Sequence, residues 1–298
     1  MINGRKTVSG CDAAEKHLSH RPDIVRSLAT ALLKKMPAVR RLIRPLINRL
    51  RAKREYRILE LANLYPDDRA AIVADYLYSI KVTHRGILQV VNLETVVRDI
   101  ESRGIDGAFV ETGTYTGGAS AYALRALLRL SKSPLRDYWG FDSFEGMPTP
   151  TVEDGDHGSL WVFNKPMDKS PVRERSEILT GHDVNRADYD RCLSYLRGTG
   201  YPLERLHLIK GWFQNTLPKF KSSIGPIAIL RLDGDLYEST KVVFETLYDQ
   251  VVPGGIIVID DYGAFQGCRG ATDEFLARRP TSVHLVYVDN SIRYFVKP

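Results

Sequence analysis

Asp233 follows the apolar run Ile227–Leu232, and the pair Asp260-Asp261 follows a second apolar run, Gly255–Ile259. Both runs read as strands. Neighbouring strands lie about 4.8 Å apart, so their pairing brings three carboxylates to one sheet edge. Crowded carboxylates raise at least one pKa unless a cation sits among them. Hard oxygen donors with room for water suit Mg²⁺. No His or Cys lies close in sequence to turn the preference toward zinc. The bland alternative is that these are strand-end turn acids. Asp235, three residues before Glu238, has capping-box-like spacing and is assigned first to the start of the next helix and only second to the site.

A second constellation is Glu111-Thr112-Gly113-Thr114-Tyr115-Thr116-Gly117-Gly118. It lies between a short apolar strand and a helix. Glycines there allow close backbone approach to a ligand, and the helix N-terminus offers N–H groups to an anion. The dinucleotide pattern GxGxxG is absent, and a diphosphate gains nothing from Glu111. The ammonium and sulfonium charges of S-adenosylmethionine suit that acid better, and its carboxylate suits the helix end. Asp142 closes a second strand 31 residues after Glu111, where an acid accepts the ribose hydroxyls of an adenosine cofactor. Ser143 and Phe144 stand beside it. Trp212 and Phe213 are candidates to pack on the adenine, or ordinary core aromatics. Methyl transfer to an oxygen is mostly a positioning task, assisted by Mg²⁺ at a hydroxyl and by a base. Asp233 and His157 are the candidate bases.

The elements that must position these residues alternate. Strands are expected at 108–110, 138–141, 206–210, 227–232 and 255–259, and helices at 118–130, 186–197, 238–250 and 267–278. This pattern implies a doubly wound, parallel α/β sheet. Two further strands, 283–288 and 292–296, flank Asp289-Asn290 and form an antiparallel hairpin. A mostly parallel seven-stranded sheet closed by a C-terminal hairpin is the Rossmann-like class I methyltransferase arrangement. Residues 143–170, rich in Pro, Gly and Asp, read as a long functional loop carrying His157.

Three regions follow: a basic helical extension at 1–55, a helical cap or substrate region at 56–104, and the catalytic domain at 105–298. The net charge of +6 is concentrated between Lys34 and Arg54, a stretch without acids. It reads either as a surface for an anionic membrane or substrate, or as a solvated helix face or subunit contact. Without interleaved aromatics it gives no nucleic-acid module. Cys11, Cys192 and Cys268 are too scattered for a disulfide framework, and no apolar run spans a bilayer. A cytoplasmic protein is expected.

Several longer segments carry a resemblance: Glu111-Thr112-Gly113 with Gly117-Gly118, Asp142-Ser143-Phe144-Glu145-Gly146-Met147-Pro148, Gly211-Trp212-Phe213, Leu232 to Thr240, and Gly254-Gly255 with Asp260-Asp261-Tyr262. In this order they resemble the macrocin O-methyltransferase (TylF/MycF/NovP-type) family of sugar O-methyltransferases, over roughly residues 90–298. The resemblance implies Mg²⁺-dependent transfer to a sugar hydroxyl of a glycosylated natural product or surface glycan. It also implies Asp233, Asp260 and Asp261 as metal ligands and Asp142 on the ribose. Macrolide-directed members carry a catalytic His in the stretch after the Glu-Gly-Met-Pro-like segment, but Leu160–Ser170 has none. His157 substitutes for it, or Asp233 acts alone. The rival readings are an NAD(P)-dependent oxidoreductase and a silent cofactor-binding module.

Overall fold

The computed structural model describes residues 58, 60–82, 87–131, 134–166 and 174–298. The basic segment 1–55, with its expected membrane or subunit contacts, lies outside the described residues. Five apolar runs become strands: β1 (Ala108–Thr112), β2 (Tyr138–Asp142), β3 (Leu206–Lys210), β4 (Ile227–Leu232) and β5 (Val251–Ile259). They pair in parallel. β6 (Val286–Tyr287) and β7 (Arg293–Val296) complete a seven-stranded sheet in the order β3-β2-β1-β4-β5-β7-β6. β7 is antiparallel to both β5 and β6, as the expected hairpin requires. Strand order reverses between β1 and β4, which opens the ligand crevice of such sheets at their carboxyl ends.

The central strands β1, β2 and β4 and the second half of β5 bury both faces, which is why those runs read as continuously apolar. Phe109, Ile229 and Val258 face one core layer. Helices α1 (Arg69–Ser79), α2 (Ile87–Arg103), α3 (Gly118–Leu130) and α6 (Tyr189–Arg197) belong to that layer. Arg129 on α3 binds Glu94 on α2 at 2.9 Å and Asp75 on α1 at 3.4 Å, fastening the three together. Val110, Leu230 and Ile257 face the opposite layer, with α7 (Phe213–Ile224), α8 (Tyr237–Leu247) and α9 (Gln266–Ala277). No described helix is long and apolar enough to cross a membrane.

Residues 143–170 are not the plain loop the composition suggests. They contain a 3₁₀ turn, Val152–Asp154, running into helix α4 (Gly155–Phe163). Thr151 and Asp154 form a reciprocal capping box that starts this segment. A single helical turn, α5 (Arg175–Ile178), follows. Helix α7 was also unanticipated; it begins at Phe213 and carries Pro218 inside it.

Candidate active site

Register places the acids. The ladder continues one residue past the strands: Asp233 N–H donates to Thr112 O at 2.8 Å, and Asp260 N–H donates to Leu232 O at 2.9 Å. Gly113, Asp233 and Asp260 therefore stand abreast at the switch point. Gly113 has φ +95°, and a Cβ on it would overlap the Asp233 carbonyl. Its glycine serves this backbone crossing, which sets the turn directly against Asp233.

Side chains alternate along strands, and the register pairs Glu111, Arg231 and Val258 across β1, β4 and β5. On that face the sequence reading missed a residue. Arg231 lies 2.6 Å from Glu111 Oε1, and its Nη2 is shared between Asp260 Oδ1 at 2.7 Å and Asp233 Oδ2 at 2.9 Å. Gln89 on α2 also donates to Asp260 Oδ1, at 2.7 Å. Glu111, Arg231 and Asp260 are each 1% exposed. The expectation that Glu111 faces a cofactor's cationic groups is corrected. One of its oxygens binds Arg231, and the other accepts from Ser120 and from Tyr138 at 2.9 Å. Burial pushes the Glu111 carboxyl up, against the pull of Arg231.

The metal expectation is also revised. The carboxylates whose oxygens lie within 4.8 Å of one another are Asp233, Asp235 and Asp261. Asp260 instead gives Oδ1 to Arg231 and Gln89. Asp235 is not the helix cap its spacing suggested. The N-cap of α8 is Leu236, without a side-chain cap bond, and the Tyr237 N–H is taken by Asp154 Oδ1 at 2.7 Å. Asp235 itself holds a left-handed φ of +58° and is buried. Such conformations collect at functional sites. The donor set is all hard oxygen, and its acidic charge exceeds what one guanidinium neutralises, so these residues fit a divalent cation such as Mg²⁺. Cys268 lies near Asp261; burial, then that charge, hold its thiol well above the usual value, so it is no nucleophile at neutral pH.

The glycine turn faces Asp142. The Asp142 carboxylate accepts N–H bonds from Tyr115 and Phe144, each at 2.7 Å, and both donors have left-handed φ. Burial outweighs these bonds and pushes the carboxyl up to about 6. Thr114 is buried against the Phe141 carbonyl and Thr112 against that of Arg231. Gly117 is left-handed and packs on Cys192 and Leu196 of α6. Gly118 opens α3, whose N-terminus has no side-chain cap. That opening fits the carboxylate of an amino-acid ligand. Ser143 closes its own turn on Gly146 and Glu145. Of the two aromatics, Phe213 is core, and Trp212 is half-buried at the N-cap of α7.

His157 sits on α4 rather than in a loop. It is exposed, with its ring 5.2 Å from that of Phe265. Phe265 N–H in turn donates to Asp261 O at 2.9 Å.

The sequence profile described as macrocin-O-methyltransferase (TylF) matches residues 34–176 and 190–297. The chain belongs to the macrocin-O-methyltransferase family. Among the relatives of this methyltransferase is the 8-demethyl-8-(2,3-dimethoxy-alpha-L-rhamnosyl)-tetracenomycin-C 4'-O-methyltransferase of Streptomyces olivaceus, 32% identical over 72% of this chain and 74% of the relative. The demethyldecarbamoylnovobiocin O-methyltransferase of Streptomyces niveus is 32% identical over 70% of this chain and 73% of its own. Among solved structures, the O-methyltransferase NovP is 30% identical and superposes with a TM-score of 0.59, covering 72% of this methyltransferase and 81% of NovP.

Proposed function

We propose that this methyltransferase moves a methyl group from S-adenosylmethionine to a sugar hydroxyl of a glycosylated acceptor, with Mg²⁺ at the Asp233, Asp235 and Asp261 carboxylates. The observation that carries this reading is the convergence of those three carboxylates at the sheet's switch point, next to the Asp142 and Gly113–Gly118 turn. The names of the relatives agree: the Streptomyces olivaceus enzyme is named for the 4′ oxygen of a rhamnosyl-bearing tetracenomycin, and a Micromonospora griseorubida enzyme, 30% identical over 70% of this chain, for the 3″ oxygen of mycinamicin III. When bound, S-adenosylmethionine supplies an electrophilic methyl and Mg²⁺ a Lewis acid that makes a hydroxyl more acidic.

The chain's own residues do the rest. Asp142 accepts the ribose hydroxyls, and the uncapped start of α3 receives the amino-acid carboxylate. Arg231 pairs with Asp233, which favours Asp233 as a ligand over a role as base. The acceptor's proton then goes to the imidazole of His157, a side chain type that serves as general base. α4 packs on Leu236 and on Gln266 at the start of α9, beside the carboxylates.

Calorimetric titration with S-adenosylmethionine and with NAD, followed by mass spectrometry of a panel of aryl deoxyhexosides, tests the reading. Binding of S-adenosylmethionine alone and a product 14 Da heavier than one glycoside are expected. NAD binding, or no methylated sugar across the panel with Mg²⁺ present, refutes it.

A further inference from the structure

Asp154 belongs to no part of the chemistry described above, yet it is 2% exposed and fully engaged. Its Oδ2 accepts from the Thr151 N–H at 2.7 Å and from the Thr151 hydroxyl at 3.2 Å, closing the start of the α4 segment. Its Oδ1 crosses 83 residues of sequence to accept the Tyr237 N–H at 2.7 Å. That N–H opens α8, two residues after Asp235, and α8 has no side-chain cap of its own. On its third side Asp154 fills the space beside Gly267, at the start of α9; a Cβ on Gly267 would overlap its carboxylate. One buried carboxylate thus ties together α4, the loop that carries Asp233 and Asp235, and the helix that follows Asp260 and Asp261.

What Asp154 fixes is a wall. On α4, His157 and Trp161 are one turn apart and flank Phe265, with ring centroids 5.2 and 6.1 Å away. Gly158 lies where a Cβ would touch Leu236 at 3.4 Å. This aromatic wall stands beside the loops that bear the carboxylates. An amphipathic aromatic surface with polar edges suits a sugar ring.

We propose that Asp154 is a positioning residue for the acceptor: by seating α4 on the carboxylate loops, it sets which sugar hydroxyl faces the transferred methyl. The proposal rests on the sugar O-methyltransferase reading. It adds that acceptor affinity and regiochemistry pass through a residue that touches neither ligand.

Two variants probe it by different routes. Asp154→Asn replaces one acceptor oxygen with a donor facing the Thr151 N–H. Gly267→Ala leaves every polar group in place and presses on the contact itself, on the Asp154 carboxylate and on the Tyr237 N–H that it accepts. Each is measured for KM and kcat on the aryl deoxyhexoside that the wild type methylates best, for S-adenosylmethionine Kd, and for the isomer ratio of the monomethylated product. Both should raise acceptor KM about tenfold, as expected when misplacement loosens positioning. S-adenosylmethionine Kd should stay within about twofold, and a second methyl isomer should appear. Unchanged KM with a single isomer, or an equal loss of cofactor affinity and kcat with KM unmoved, overturns the proposal. If the wild type methylates no glycoside, the sugar reading fails by itself. Amide exchange over 155–163 then decides the seating: faster exchange in Gly267→Ala supports it, and unchanged exchange overturns it.

Discussion

Arg231 and Glu111 form an ion pair at 2.6 Å with both side chains sealed from solvent. Arg231 extends the same guanidinium to Asp233 and Asp260, so it couples the strand that begins the glycine turn to the strands that carry the metal-type acids. Removing one partner of such a pair leaves an uncompensated buried charge, at a cost of about 3–5 kcal/mol. Arg231→Met should therefore lower the melting temperature by about 10 °C. Arg231→Lys should recover only part of this, because one ammonium cannot reproduce a planar fork reaching three carboxylates. Thermal unfolding without ligands checks this; a melting temperature unchanged in Arg231→Met removes the structural role.

Cofactor affinity should depend on pH through Asp142. Its carboxyl is pushed up to about 6 by burial, so the free enzyme binds a proton there more readily than the unfolded chain does. Its own contribution to stability is therefore fullest below the unfolded value of about 4 and is lost as pH rises through about 6. The ribose hydroxyls need the ionised form, so S-adenosylmethionine competes with that proton. Calorimetry at pH 7.5, 6 and 5 should show affinity falling below pH 6, by up to about tenfold per unit. Asp142→Asn should bind weakly at every pH, without this slope. A flat profile in the wild type contradicts the assignment.

Asp235 and Asp260 are predicted to separate. Asp235 shares the tight cluster with Asp233 and Asp261, whereas Asp260 is held by Arg231 and Gln89. Titrating Mg²⁺ into each variant should show Asp260→Asn weakened about tenfold, as for an outer-shell group, and Asp235→Asn about a hundredfold. Asp260→Asn should instead suffer the larger loss of melting temperature. The reverse order would restore Asp260 as the third ligand.

His157 should behave as a base. His157→Asn is expected to lower kcat by about 10²–10⁴-fold and to leave S-adenosylmethionine Kd unchanged. If kcat is unchanged in the variant, the proton goes elsewhere.

β2 and β4 were legible because they are buried on both faces and end in acids. β3, buried on one face, was legible from apolar alternation, as was the terminal hairpin around the Asp289-Asn290 turn, and the helix at 118–130 from the glycine turn before it. α4 was hidden because Gly155 and Gly158 lie within it and its cap, Asp154, looks like one more loop acid. Arg231 was hidden because it sits inside an apolar run, where a lone charge declares no partner until β1 and β5 are laid beside it. Gln89 acts across 171 residues of sequence, beyond any local signal. Asp235 misled for a physical reason: its spacing to Glu238 is that of a cap, but its left-handed backbone turns it away from that role. The same alternation that orders the strands sends Asp260 toward Arg231 and leaves Asp261, one residue on, in the cluster.

The central claim is that the carboxylates at the switch point hold the metal for methyl transfer. The most direct measurement is the transfer rate from S-adenosylmethionine to the preferred aryl deoxyhexoside, before and after removal of divalent ions with EDTA, in wild type and in Asp261→Asn. The wild type should lose at least about tenfold of its rate on chelation and regain it with added Mg²⁺, while Asp261→Asn stays low under both conditions. Full activity in EDTA, or an Asp261→Asn variant that methylates at the wild-type rate, would contradict it.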